Sequence, residues 1–69
     1  MSAIVLTPLG KSVAENTQGS GPEFSVLSML YEENGPMDFD EIVGGLRTDE
    51  EKASMIVRRL ISKGYCREL

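Results

Sequence analysis

Residues 48–64, TDEEKASMIVRRLISKG, constrain this chain more than any other stretch. Ala53, Ile56, Val57, Leu60 and Ile61 recur at i, i+3, i+4, i+7 and i+8, which places their apolar side chains on one helical stripe. The spacing predicts a helix over 48–63. Thr48 followed by Glu51 has the pattern of a capping box at its start. Asp49 and Glu50 add negative charge to the first turn, where the helix dipole favours it. Lys63 falls in the last turn and Gly64 suits a left-handed cap, so the stop is marked as well. The other side of this helix carries Lys52, Met55, Arg58, Arg59, Ser62 and Lys63. A helix with one apolar stripe and one basic face must dock on a core and turn its charge outward. The rest of the chain is therefore read as what it docks on.

The chain has 69 residues and is expected to form one domain, 1–69. At that length only about 60% of the unfolded surface is buried on folding, so stability needs help. Cys66 is the single cysteine and cannot form an internal disulfide; with no histidine as well, a zinc site is nearly excluded. The composition points to a reduced, cytoplasmic chain that gains stability by oligomerising, with a homodimer as the simplest assembly. No apolar run approaches the roughly 20 residues needed to span a bilayer. The apolar stretch Ala3 to Leu6 is too short for the core of a signal peptide. Neither a membrane partner nor a cofactor is expected.

The formal charge of −4 is unevenly spread. Residues 1–51 set Lys11 and Arg47 against ten carboxylates (Glu15, Glu23, Glu32, Glu33, Asp38, Asp40, Glu41, Asp49, Glu50, Glu51), a net −8. Residues 52–69 set Lys52, Arg58, Arg59, Lys63 and Arg67 against Glu68, a net +4. Affinity for nucleic acid without sequence preference comes mostly from neutralising phosphates, so the net acidity argues against a strong nonspecific binder. A basic face on an acidic body remains compatible with weaker or more selective binding.

Taken in order, residues 2–6 are apolar and partly β-branched and predict a strand. Thr7-Pro8 breaks it and starts a helix over 8–16, with Thr7 as N-cap and Pro8 in its first position. Leu9, Val13 and Ala14 form its expected inner face, and Gly10 weakens it by about 1 kcal/mol relative to alanine. Residues 17–21, TQGSG, compose a loop. A second helix spans 22–34; Phe24, Val26, Leu27, Met29, Leu30 and Tyr31 are too many for a narrow stripe and imply deep burial. Asn34-Gly35 and Pro36 stop it. A third helix covers 38–46. Asp38 with Glu41 repeats the capping-box pattern, and Met37 with Ile42 forms a hydrophobic staple. Gly44-Gly45 costs about 2 kcal/mol of helix propensity. Fraying or close helix packing explains the pair, and so does a backbone approach to a ligand. After Gly64, residues 65–69 read as a closing strand whose natural partner is the first.

Catalytic chemistry finds little support. Asp38, Asp40 and Glu41 suit helix capping better than metal binding, and Cys66 has no histidine to act as its base. Met29 and Met37 read as core; Met55, on the polar face, suggests an interface. No glycine-rich phosphate loop precedes a helix. Nothing brings a nucleophile, a base and a pocket together, so the chain is not expected to be an enzyme.

The order of elements resembles the winged-helix variety of the helix-turn-helix. The stretch GPMDFDEIVGGLRTDEEKASMIVRRLISKGY is similar to that family's run of two helices, recognition helix and entry to the wing, and VRRLISKGYCREL is especially typical. IVLTPLGKSVAEN resembles the segment after the wing in multiple-antibiotic-resistance-type regulators, where a strand runs into Leu-Thr-Pro-x-Gly and a helix. Here that segment stands at the front. The resemblance implies a mainly α fold with a small β ribbon. It has a winged-helix-like three-helix core, a short N-terminal helix, and termini that pair as a two-stranded antiparallel ribbon with the wing cut open.

The resemblance also implies a DNA-binding transcriptional regulator that is dimeric. Its contacts to duplex DNA would come from the outer face of helix 48–63: Lys52, Met55, Arg58, Arg59, Ser62 and Lys63. Arginine reads guanine with two hydrogen bonds, and lysine grips phosphate. Two departures stand out. Asp49-Glu50-Glu51 would meet phosphates unfavourably at the end of the helix that usually meets bases. Thr48 also falls where many members place an apolar turn residue. The alternative is an acidic winged-helix module that binds a protein partner and no nucleic acid. Arg58 and Arg59 would then be a solvated face pairing with acids such as Glu51.

Overall fold

Aliphatic and β-branched side chains favour extended backbone, and Ala3–Leu6 forms strand β1. Thr7 ends it and caps helix α1, Pro8–Asn16: the Thr7 Oγ1 accepts the Gly10 N–H at 3.0 Å. Pro8 stands in the first helical positions, where the N–H it lacks has no intrahelical partner. Helix α2, Pro22–Glu33, stops at Asn34, whose N–H closes the last helical bond to the Leu30 carbonyl before its left-handed backbone (φ 57°) turns the chain away. Strand β2, Met37–Asp38, leads directly into helix α3, Phe39–Leu46. Helix α4, Glu50–Ser62, is followed by strand β3, Cys66–Glu68. This computed structural model describes residues 3–17 and 19–69, so Ser2, expected in the first strand, and Gln18, expected in the loop, lie outside the described residues. The protein is mainly helical with a small antiparallel sheet.

That sheet has three strands in the order β2-β1-β3, where a two-stranded ribbon was expected. Ile4 pairs with Met37 on one side and Glu68 on the other; Leu6 pairs with Cys66. The end of the chain is tied to its start by the Leu69 N–H, which donates to the Ala3 carbonyl at 2.9 Å. Two residues are too few to show alternation, which is why β2 is silent in the sequence. Its register still has a clear cause, because it puts the buried side chains of Ile4 and Met37 side by side.

Ile4, Val26, Leu27, Leu30, Met37, Ile42, Val57, Leu60 and Cys66 form one buried cluster. Helix α4 commits Ala53, Val57 and Leu60 fully to the interior, with Ile56 and Ile61 half-buried at its margins. Burying one such leucine or valine is worth roughly 1.5–3 kcal/mol, so this stripe anchors the helix.

Several local expectations fail, and Tyr31 of α2, expected inside, is 39% exposed. The cap of α4 is Asp49, not Thr48: the Asp49 Oδ1 accepts the Lys52 N–H at 2.8 Å. Arg47, left-handed at φ 55°, ends α3 and spends 47–48 on the turn, so the helix starts later. Asp38 is the N-cap residue of α3 and pairs with Ala3 in the sheet, but its side chain makes no capping bond. Leu9, expected inside, is 53% exposed, and Gly10 is buried in its place with Val13 and Ala14 beside it.

The burial of Gly10 has a specific reason. Helix α4 ends in a Schellman motif: the Tyr65 N–H reaches the Leu60 carbonyl and the Gly64 N–H the Ile61 carbonyl, both at 3.0 Å. Gly64 takes φ 80°, which L side chains rarely tolerate. The Tyr65 carbonyl then points at α1, and a Cβ built on Gly10 would lie 1.8 Å from its oxygen. Gly10→Ala is expected to lower stability by about 3 kcal/mol in urea melts, because the obstacle is backbone and cannot rotate away. Gly44→Ala meets nothing within 4 Å and is expected to leave stability unchanged or raise it by up to about 1 kcal/mol.

Candidate functional site: the outer face of α4

Because Ala53, Val57 and Leu60 point inward, helical periodicity turns the opposite side of α4 to solvent. Lys52, Met55, Arg58, Arg59, Ser62 and Lys63 are all exposed there, the last as the helix C-cap. The thirteen residues of α4 make a rod roughly 20 Å long. Its charge is graded: Asp49, Glu50 and Glu51 mark the N-terminal end, whereas Arg58, Arg59 and Lys63 cluster towards the C-terminal end. That gradient opposes the helix dipole at both ends and so stabilises the helix by itself.

Two of the cations are not simply solvated. The Lys63 Nζ lies 2.7 Å from Glu23 Oε1 and the Arg59 Nη1 lies 3.9 Å from Glu23 Oε2. Glu23 belongs to the first turn of α2, so this carboxylate comes from a helix remote in sequence, not from Glu51 on α4. Among the described residues, Lys52 and Arg58 have no carboxylate at ion-pair distance. Met55, 52% exposed, sits amid these charges as an apolar knob.

The glycine pair of α3 lies away from any such chemistry. A Cβ on Gly45 would stand 2.3 Å from the Met29 sulfur of α2, whereas Gly44 faces open space. Close helix packing therefore accounts for Gly45. Among the described residues, no three histidine, cysteine or acidic side chains converge as a metal site, and no helix is long and apolar enough to cross a membrane.

A cleft of about 300 Å³ opens where β1 meets α1 and the end of α2. Val5, Leu6, Pro8 and Leu30 line it, with Lys11, Tyr31 and Asn34 also in its wall. The Tyr31 hydroxyl donates to Glu15 Oε2 at 3.1 Å; this bond and the charge of Glu15 hold the phenol's proton and raise its pKa. Sequence reasoning missed this cleft, because its residues come from segments about twenty positions apart that carry no motif.

Cys66 is buried, and desolvation pushes its thiol from about 9 up to about 11. Below pH 9 the thiol is protonated whether folded or unfolded, so it contributes nothing to pH dependence. Between pH 9 and 11 only the unfolded chain releases the proton, and stability falls as pH rises. The loss is limited to roughly 3 kcal/mol. Wild type minus Cys66→Ala stability, measured across that range, is expected to decline accordingly.

Compared with family models, with curated proteins and with solved structures, the chain matches none.

Proposed function

We propose that the protein is a winged-helix DNA-binding domain and a transcriptional regulator, with the outer face of α4 as its reading surface. The observation that carries this reading is the exposure of Lys52, Met55, Arg58, Arg59, Ser62 and Lys63 on one side of a helix whose other side is fixed in the core. An α-helix with its side chains is about 10–12 Å across, which matches the roughly 12 Å width of the major groove of duplex DNA. The topology supports the same reading. Traced as a circle from α2, the order is helix, strand, helix, helix, strand, strand, helix. In that circle β3 and β1 are an antiparallel pair, as in a hairpin wing whose tip has been opened. Arg58, without an acidic partner among the described residues, is the side chain suited to base edges, and Lys52 to phosphate. The protein acts in the cytoplasm as a homodimer on this reading, and no catalytic step is involved.

A second reading, docking of a protein partner on the same face, is favoured by Met55 and by the partial neutralisation of Arg59 and Lys63. Fluorescence anisotropy with labelled duplex DNA separates the two. Binding is expected at about 50 mM salt, weakening at least tenfold by about 200 mM as counterions compete. Arg58→Ala combined with Arg59→Ala is expected to reduce affinity at least tenfold at the lower salt. Absence of binding at low salt would leave protein docking as the function of this face. Sedimentation equilibrium tests the dimer directly.

A further inference from the structure

We propose that Arg59 and Lys63 form the seat for one backbone phosphate of bound DNA, and that the Glu23 carboxylate fills this seat in the free protein. The inference rests on the DNA-binding reading of α4 and names a contact within it.

Arg59 and Lys63 stand one turn apart on α4 and converge on a single carboxylate that another helix supplies. Each takes a different oxygen: Lys63 Nζ is 2.7 Å from Oε1 and Arg59 Nη1 is 3.9 Å from Oε2. A phosphodiester presents the same chemistry, one negative charge shared by two outward oxygens, and both guanidinium and ammonium groups bind it well. The arrangement is thus already organised around one anion of this kind. The seat is also accessible. The side chains of Arg59 and Lys63 are 61% and 51% exposed, and Glu23 is 31% exposed. Exposed ion pairs are weak, so an incoming phosphate can replace the carboxylate with little opposition.

The consequence is a division of labour along α4. Lys52 and Arg58 meet DNA without a competitor, whereas Arg59 and Lys63 bind phosphate only by releasing Glu23. Competition from Glu23 lowers the grip on any duplex, whatever its sequence, and leaves the share of binding that depends on base contacts relatively larger.

The test is a set of duplex titrations at about 50 mM salt with wild type, Glu23→Gln, Glu33→Gln and Arg59→Ala/Lys63→Ala, the last with and without Glu23→Gln. Circular dichroism melts confirm that each variant folds. Glu23→Gln is expected to tighten binding about threefold to tenfold, and more than Glu33→Gln, an acid near the far end of α2. In the Arg59→Ala/Lys63→Ala background the gain is expected to vanish. Equal gains from Glu23→Gln and Glu33→Gln, or a gain that survives loss of both cations, would show a general charge effect and overturn the phosphate seat. Binding by the wild type that is unchanged by Glu23→Gln would overturn the seat and leave the DNA-binding reading standing. No binding by any variant would overturn both.

Discussion

The contact on which this structure depends is the meeting of Thr7 and Gly10 with Gly64 and Tyr65. The Thr7 hydroxyl donates to the Gly64 carbonyl at 2.5 Å, and its oxygen accepts the Gly10 N–H at 3.0 Å. The Thr7 N–H donates to the Tyr65 carbonyl, also at 3.0 Å. One side chain therefore serves a free donor at the start of α1 and a carbonyl just past the end of α4. Four elements, β1, α1, α4 and β3, are held at a single corner. Gly10 and Gly64 make it possible for different reasons, one by lacking a Cβ where a carbonyl must pass, the other by taking a left-handed backbone. With its C-terminal end fixed in this way and its apolar stripe buried, α4 has no freedom to roll about its axis. The direction in which its charged face looks is set by that constraint.

This corner also shows how much of the fold the sequence declares. Leu-Thr-Pro-Leu-Gly at the front and Lys-Gly-Tyr near the end are each legible as a cap, a start or a stop. Helical spacing of apolar side chains placed α3 and α4, whereas start and stop residues placed α1 and α2. What sequence could not show is that the two motifs touch, for their contact spans 57 positions and depends on a carbonyl that carries no side-chain signal. Gly10 consequently reads as a weakness in α1 when it is the site of closest approach. Asp49 displaced Thr48 as a cap because the left-handed Arg47 consumed part of the turn, and backbone angles of single residues are not written in hydropathy.

The candidate face was legible for a related reason. Exposure of Lys52, Met55, Arg58, Arg59, Ser62 and Lys63 follows from the burial of Ala53, Val57 and Leu60 by geometry alone. The role of Glu23 was not legible. It sits 36 positions before Arg59, in the first turn of a different helix, where an acid is already explained by the helix dipole. A residue with a sufficient local reason draws no attention to its distant one.

The charge gradient along α4 limits how the helix can approach a polyanion. Asp49, Glu50 and Glu51 crowd its first turn, and Asp49 is committed to the cap. Phosphates near that end would meet like charge with no compensating cation except Lys52. The C-terminal half has Arg58, Arg59 and Lys63 within two turns. On the DNA-binding reading, the helix therefore enters a groove with its C-terminal half closest to the backbone and its N-terminal end tilted away. That orientation differs from helix-turn-helix domains that insert the N-terminal residues of the recognition helix. It brings the end of α4 and the strands β1 and β3 beside it towards the same side of the duplex. Arg67, exposed on β3, then lies on the element where a wing would follow the backbone.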